Sequence, residues 1–80
     1  MTVENILTGI KESFVIILEH DDFELTTETV ADDVEGWESI THMMLIGEVE
    51  KKFNVKFKLM DLMKMENVGD LVAAIKKELN

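Results

Sequence analysis

The sequence predicts an all-α fold with three main helices, one short helix and a long first loop. Apolar residues recur at steps of three and four along most of the chain, which is the period of an amphipathic helix. No segment keeps the alternation typical of a strand, and the 80 residues include no Pro. Since a chain of this length matches one ordinary domain with a small core, we expect residues 1–80 to form a single domain.

The first helix is predicted to follow Thr2 and to run to Leu18. Thr2 precedes the apolar stripe, and a Thr at this position accepts a hydrogen bond from the first helical turn. The polar run from His20 to Asp22 marks the exit from the helix. The stripe itself consists of Val3, Ile6, Leu7, Ile10, Phe14, Ile17 and Leu18.

Residues 20–37 have no clear period and are predicted to form a loop. Thr and acidic side chains are frequent here, and both favour turns and local backbone hydrogen bonds. A loop of this length is unusual in a small domain, and it tends to be functional or to contain a short regular element. We expect its apolar residues to hold it against the core; these are Phe23, Leu25, Val30 and Val34.

The second helix is predicted from Ser39 to Phe53, with Ser39 as its N-cap. Its apolar residues are too widely spread for one narrow stripe, because each residue turns the helix by about 100°. The helix therefore either packs on two flanks or presents one face to a partner, and both alternatives stay open. The residues concerned are Ile40, Met43, Met44, Leu45, Ile46, Val49 and Phe53.

Two more helices are predicted after residue 58. A short one occupies Leu59 to Met65, and the last begins at Asn67, whose side chain is suited to capping. Asp70 lies three residues after Asn67, which approximates a capping box. The apolar stripe of the last helix consists of Val68, Leu71, Val72, Ile75 and Leu79.

The negative charge is concentrated in one segment of the chain. Residues 19–38, the acidic segment, contain nine Asp and Glu residues and no Lys or Arg, whereas the other eight acids are balanced by eight lysines. The net charge of −9 therefore belongs to this segment. Such a surface repels nucleic-acid phosphates and anionic lipids and attracts basic partners, although a solvated loop is the simpler interpretation. We expect no nucleic acid and no membrane among the partners.

Composition argues against several kinds of site. There is no Cys, which excludes disulfides, thiolate metal sites and a Cys nucleophile. The acids after His20 lack the spacing and the Gly of a calcium loop, and His20 and His42 lack a paired-ligand spacing. Each histidine is interpreted as an ordinary surface residue. We expect no metal site, no catalytic site and a carrier or binding function.

The location of the protein is predicted from two further features. The start of the chain lacks the basic region of a signal peptide. The longest apolar run, Phe14 to Leu18, is far shorter than the roughly 20 residues that a membrane span needs. We expect a cytoplasmic protein.

Glu38-Ser39-Ile40 stands at the start of the second helix, directly after the acidic segment. Taken alone, a Ser at this place is more often a cap than a functional group. Together with the chain length, the long first loop, the short third helix and the acidic end of the second helix, the triplet resembles the acyl carrier protein family, whose signature is Asp-Ser-Leu. The resemblance implies a four-helix bundle in which Ser39 is joined through a phosphodiester to 4'-phosphopantetheine, whose thiol holds acyl groups. A phosphodiester suits a helix N-terminus, where backbone N–H groups are free.

The resemblance also implies partners and further site residues. The partners are a phosphopantetheinyl transferase (holo-acyl carrier protein synthase) and acyl-transferring or acyl-activating enzymes with basic surfaces, which meet a monomeric carrier. We expect partner contacts at Glu38, Ile40, Met44 and Glu50. An acyl chain is expected beside the second helix, where Gly47 leaves space and the flexible side chains of Met43, Met60 and Met63 repack around it.

The sequence departs from the family signature at two positions of the triplet. Glu38 replaces Asp and Ile40 replaces Leu. The second helix is also less acidic than in carriers for general fatty acid synthesis, with Met44 at a position where those carriers often have an acid and Lys51 and Lys52 near its end. The segment 36–42 is more similar to specialised carriers, which favours a dedicated acyl pathway over general fatty acid synthesis. Two alternatives remain. One is a carrier of aminoacyl, peptidyl or D-alanyl groups, and the other is a helical adaptor domain without the arm.

Overall fold

A computed structural model describes residues 2–79; Met1 and Asn80 lie outside the described residues. Every regular element in this range is helical, which confirms the all-α prediction. The helices are α1 (Val3–Leu18), α2 (Ser39–Phe53), α3 (Leu59–Met63) and α4 (Val68–Leu79), and a short 3-10 helix occupies Ala31–Asp33 within the first loop. α3 ends two residues before the predicted Met65. No helix in residues 2–79 is long and apolar enough to cross a membrane.

Hydrogen bonds between residues close in the sequence define both ends of helix α1. The Thr2 hydroxyl accepts the Asn5 N–H at 3.1 Å, as the sequence predicts. At the other end Glu19 adopts a left-handed conformation (φ 61°), and its N–H donates to the Val15 carbonyl. Between these ends Ile6, Ile10 and Phe14 are fully buried. The apolar stripe thus faces the core, except for Val3 in the first turn, which is exposed. α1 packs mainly against α2.

Two contacts show that α1 and α2 run antiparallel. Trp37, which precedes α2, packs edge-on against Phe14 with ring centroids 5.0 Å apart. At the far end of α2 the ring of Phe53 lies directly against Gly9, in the first half of α1. The start of α2 therefore lies beside the end of α1, and the first residues of α1 lie at the opposite end of the molecule.

The two glycines inside α1 and α2 are expected to respond oppositely to substitution by Ala. A Cβ at Gly9 would overlap the Phe53 ring, whereas a Cβ at Gly47 would meet no atom within 4 Å. Gly47→Ala should raise the free energy of unfolding by about 0.5–1 kcal/mol, the gain from helix propensity. Gly9→Ala should lower it by about 1 kcal/mol or more, because overpacking outweighs that gain. Urea denaturation followed by circular dichroism measures both; equal gains at the two sites would contradict the close packing at Gly9.

The first loop is anchored largely as predicted, with one exception. Phe23 and Val34 are buried and Leu25 is half-buried, but the prediction for Val30 is wrong, because this side chain is exposed. The preceding residue, Thr29, is buried instead. Val30 has an extended backbone, in which successive side chains point to opposite sides, so it faces outward.

Hydrogen bonds join the first loop to the start of α4. The Val68 N–H donates to the Thr29 carbonyl and the Gly69 N–H to the Thr27 carbonyl, each at 2.8 Å. Two of the free N–H groups of the helix start are thereby satisfied by the loop. The loop is held at its middle by α4 as well as at its two ends.

The cap predicted for the last helix is confirmed. The Asn67 side-chain oxygen accepts the Asp70 N–H at 2.9 Å. The Asp70 carboxylate returns to the Glu66 N–H, one residue earlier than in a standard capping box. Four members of the predicted stripe are buried, and Leu79 is exposed because the last turn extends beyond the core; the buried members are Val68, Leu71, Val72 and Ile75.

Candidate functional site

Ser39 is the first residue of α2 and is exposed. The prediction that it is the N-cap is wrong, because Glu38 occupies the N-cap position. Thr41 satisfies the groups at this end of the helix: its hydroxyl accepts the Glu38 N–H at 2.8 Å and donates to the Gly36 carbonyl at 2.6 Å. The Ser39 hydroxyl forms no hydrogen bond with residues 2–79 and is therefore available for chemistry.

The backbone at the start of α2 is suited to an anion. Within the described range 2–79 the N–H groups of Ser39 and Ile40 find no acceptor, as is usual in the first helical turn. They add to the positive end of the helix dipole beside the Ser39 hydroxyl. These groups fit a phosphodiester joined to Ser39, because they supply hydrogen-bond donors without requiring a positively charged side chain.

The turn that leads into α2 is held by an aromatic side chain. Gly36 has φ 92°, a conformation that favours Gly, and it reverses the chain before Trp37. Trp37 is buried against Phe14, and its indole N–H donates to Nδ1 of His42 at 3.0 Å. Packing against Phe14 and the hydrogen bond to His42 thus hold Trp37 in place, and with it the turn that leads to Ser39.

A groove of about 650 Å³ lies beside Ser39. Its walls come from the 3-10 helix of the first loop, from the start of α2 and the residues just before it, and from the connection between α3 and α4. The lining includes Trp37, Ser39, His42, Met43, Met65 and Asn67. Carboxylates of Asp32, Glu38 and Glu66 also line it. A larger groove of about 790 Å³ runs along α1 beside Leu7, Val15 and Leu25 and does not include Ser39. Proximity to the exposed hydroxyl makes the smaller groove the relevant one.

Sequence reasoning did not identify the pairing of Trp37 with His42. It treated His42 as an ordinary surface residue, but the ring is half-buried and lines the groove. The available signal was a polar aromatic residue one turn after Ser39 and five residues after the only Trp of the chain. A spacing of five residues does not by itself predict the contact between Trp37 and His42, because the contact depends on the turn at Gly36.

Helix α2 presents an apolar face to solvent. Leu45, Ile46 and Val49 are buried, whereas Ile40 is 83% exposed and Met43 61%. Met44 is also exposed, one turn after Ile40. The exposed face agrees with the second alternative left by the sequence, and a partner on this face stays a prediction. α3 carries a similar exposed set formed by Leu59, Met60 and Met63.

All nine acids of the acidic segment are exposed. The ion pairs found within residues 2–79 join Lys52 to Glu12 and Lys77 to Asp61, so they involve none of these acids. The segment therefore projects an uncompensated negative field next to Ser39. Residues 2–79 contain no group of three or more His, Asp or Glu side chains placed to hold a metal ion.

The remaining predicted site residues are only partly brought together. Glu38 and Ile40 flank Ser39 at the start of α2, and Met44 lies one turn beyond Ile40. The Glu50 carboxylate accepts the Phe57 N–H at 2.8 Å and holds the chain that follows α2. Of the residues expected to hold an acyl chain, Met43 lines the groove, and Met60 and Met63 are exposed on α3.

Gly47 lies on an exposed part of α2 with nothing within 4 Å of a Cβ. The expectation that it leaves space between helices is therefore wrong. It faces solvent because the buried flank of α2 is formed by Leu45, Ile46 and Val49. The acyl-chain role of the three methionines stays a prediction.

Three comparisons with known proteins point to the same family. A family model described as a phosphopantetheine attachment site matches residues 9–75. An acyl carrier protein from an Exiguobacterium strain is 34% identical over 79 residues, which cover 99% of this chain and 100% of the relative. The solution NMR structure of a holo acyl carrier protein from Geobacter metallireducens is similar with a TM-score of 0.78 and 36% identity, over 98% of this chain and 85% of that one.

Proposed function

Because the chain belongs to the acyl carrier protein family, we propose that Ser39 is the residue that bears its 4'-phosphopantetheine prosthetic group. The group supplies a thiol that holds acyl groups as thioesters. The chain has no Cys of its own that would compete for them. A protein of this family is a carrier and not an enzyme. Since the family match spans most of the chain, we propose that residues 1–80 form one carrier domain.

The exposed, unbonded hydroxyl of Ser39 is the observation that supports this assignment. The sequence contains two serines. Ser13 is fully buried in α1, and its hydroxyl donates to the Gly9 carbonyl at 3.1 Å. Ser39 is exposed at the positive end of α2, where free N–H groups favour the developing phosphodiester. Ser39 therefore combines the access and the electrostatics that arm attachment requires.

Intact-mass measurement tests the assignment. Incubation with coenzyme A and a broad-range phosphopantetheinyl transferase should add the mass of one phosphopantetheine, and peptide mapping should locate it at Ser39 and not at Ser13. No addition to the folded wild-type protein would favour the alternative of an adaptor domain without an arm.

The transferase and the acyl-handling enzymes are proposed to dock on the start of α2. The nine exposed acids would attract basic enzyme surfaces, and Ile40 and Met44 would supply apolar contact area. Glu38 lies next to Ser39 and belongs to both the acidic segment and this docking surface. The structural hydrogen bond of Glu50 makes that residue a weaker contributor than the sequence predicts.

Transferase kinetics are expected to depend on salt and on this surface. Raising ionic strength to about 0.15 M shortens the screening length to about 8 Å and should lower kcat/KM. Glu38→Lys should lower kcat/KM about tenfold at low salt, because it reverses a charge at the docking surface. Met44→Glu should also slow the reaction by placing a charge in the apolar contact.

Glu4→Lys is the matched control for this charge reversal. Glu4 is exposed in the first turn of α1, at the opposite end of the molecule from Ser39, and the variant has the same net charge as Glu38→Lys. Its kcat/KM should stay near the wild-type value. Equal rates for the two Lys variants, together with insensitivity to salt, would place recognition elsewhere.

The cargo is proposed to be a fatty or related acyl group of a dedicated pathway. The Exiguobacterium and Geobacter proteins are both called acyl carrier proteins, which favours acyl over aminoacyl cargo. Loading assays with acyl-transferring enzymes and with amino-acid-adenylating enzymes distinguish the two, since one set should load the holo protein and the other should not. We further propose a cytoplasmic location, which cell fractionation tests.

A further inference from the structure

The hydrogen bond between Trp37 and His42 determines where the His42 ring carries its proton. An indole N–H only donates, so Nδ1 of His42 must be the acceptor in this 3.0 Å contact. Nδ1 is therefore unprotonated, and the neutral ring carries its hydrogen on Nε2. The planes of the two rings are nearly parallel, with an interplanar angle of 8°. Because Trp37 is buried against Phe14, the orientation of the imidazole is fixed as well.

The other histidine provides a comparison within the same molecule. Nδ1 of His20 accepts the Asp22 N–H at 3.1 Å, so its hydrogen also lies on Nε2. That Nε2–H donates to the Glu35 carbonyl at 2.8 Å. His20 thus uses both ring nitrogens to brace the first loop. The Nε2–H of His42, in contrast, meets no acceptor within residues 2–79, although its ring lines the groove beside Ser39.

The occupant that best fits this groove is the arm attached at Ser39. Ser39 stands in the groove wall, so a group joined to it starts inside the groove at high local concentration. The volume of about 650 Å³ lies within the usual range of small-molecule sites, about 300–1,000 Å³. A phosphopantetheine arm has acceptor oxygens on its phosphodiester and on its amides. Among the polar side chains that line the groove, His42 and Asn67 offer N–H donors, whereas the carboxylates of Asp32, Glu38 and Glu66 offer only acceptors.

We propose that His42 is a binding residue for the arm, donating from Nε2 to one of its oxygens, and that Trp37 is the positioning residue that fixes this tautomer. The proposal rests on the proposed attachment at Ser39. It implies that the arm lies along the groove past Met43 for part of the time. In a carrier with such a contact the arm and its thioester stay close to the protein surface until a partner enzyme binds the arm.

Nitrogen-15 NMR of the histidine rings tests the proposal. The apo protein should show the Nε2–H tautomer for both histidines. Attachment of the arm should shift Nε2 of His42 and Nε1 of Trp37, and the Nε2–H of His42 should become protected from exchange. The ring nitrogens of His20 serve as the internal control and should move much less.

Two variants separate the hydrogen bond from simple ring packing. His42→Phe keeps a ring but removes both nitrogens, so an isotopically labelled arm should lose its contacts with residue 42 and become as mobile as a free chain. His42→Gln supplies an acceptor for Trp37 and a donor for the arm, and should restore part of the contact. Loss of the phosphorus signal shift in His42→Phe would identify the phosphodiester as the acceptor, and loss of a carbonyl shift would identify an arm amide.

Mass spectrometry and NMR together distinguish an error in the role of His42 from an error in the attachment at Ser39. If mass spectrometry finds the arm on Ser39 but the His42 signals are the same in apo and holo protein, and the arm is equally mobile in wild type and His42→Phe, the binding role of His42 is wrong and the attachment stands. If no mass is added to Ser39, the attachment itself is wrong.

Discussion

Replacing Ser39 with Ala is expected to abolish addition of the phosphopantetheine arm completely. The hydroxyl oxygen is the atom that forms the phosphodiester, and Ser13, the other serine, is buried with its hydroxyl bonded to Gly9. No enzyme surface can reach Ser13 without unfolding α1. Intact mass after incubation with coenzyme A and transferase should therefore remain that of the apo variant.

The same variant is expected to fold normally, and this also tests the capping of α2. Because Thr41 satisfies the Glu38 N–H and the Ser39 hydroxyl forms no hydrogen bond with residues 2–79, Ser39→Ala should change the free energy of unfolding by no more than about 0.5 kcal/mol. A Ser that acted as N-cap would cost about 1 kcal/mol. Ser13→Ala is the matched control and should still accept the arm. Arm addition to Ser39→Ala, or its absence from Ser13→Ala, would contradict the assignment.

Phe14→Ala is expected to destabilise the protein more than any other single truncation in α1. The ring is fully buried and contacts both Trp37 at 5.0 Å and Phe23 at 6.2 Å between centroids. Removal of a buried Phe side chain costs about 3–5 kcal/mol. A native protein has about 0.05–0.15 kcal/mol of stability per residue, or about 4–12 kcal/mol for 80 residues, so the loss removes a large part of the stability of this chain. Urea denaturation followed by circular dichroism should show a much lower midpoint or a partly unfolded variant.

Ile16→Ala on the same helix is the control for Phe14→Ala. Ile16 is 61% exposed, so its truncation should change stability by about 0.5 kcal/mol or less. The fluorescence of Trp37, the only Trp, should shift towards that of an exposed indole in Phe14→Ala and stay native in Ile16→Ala. Comparable losses from both variants would mean that the contacts among Phe14, Phe23 and Trp37 are not the centre of the core.

The features that the sequence predicted correctly depend on neighbours in the chain. The stripe of α1, its Thr2 cap and the Asn67 cap of α4 each involve groups three or four residues apart, and helical geometry brings such groups together in any context. The acidic segment is likewise a property of consecutive residues, and exposure of its acids follows from the cost of burying unpaired charge. These local features were enough to predict four helices, whereas Ser39 was singled out by the resemblance of Glu38-Ser39-Ile40 to a family signature.

The tertiary structure decided which groups around Ser39 are free and which are occupied. The turn at Gly36 brings the Gly36 carbonyl to Thr41 and the Trp37 indole to His42, which leaves the Ser39 hydroxyl and the His42 Nε2–H available. Packing of α1 against one flank of α2 exposes Ile40 and turns Gly47 to solvent. Sequence periodicity could not determine these outcomes, because they depend on how a loop without period folds back and on which flank of α2, whose apolar residues are spread around the helix, α1 covers.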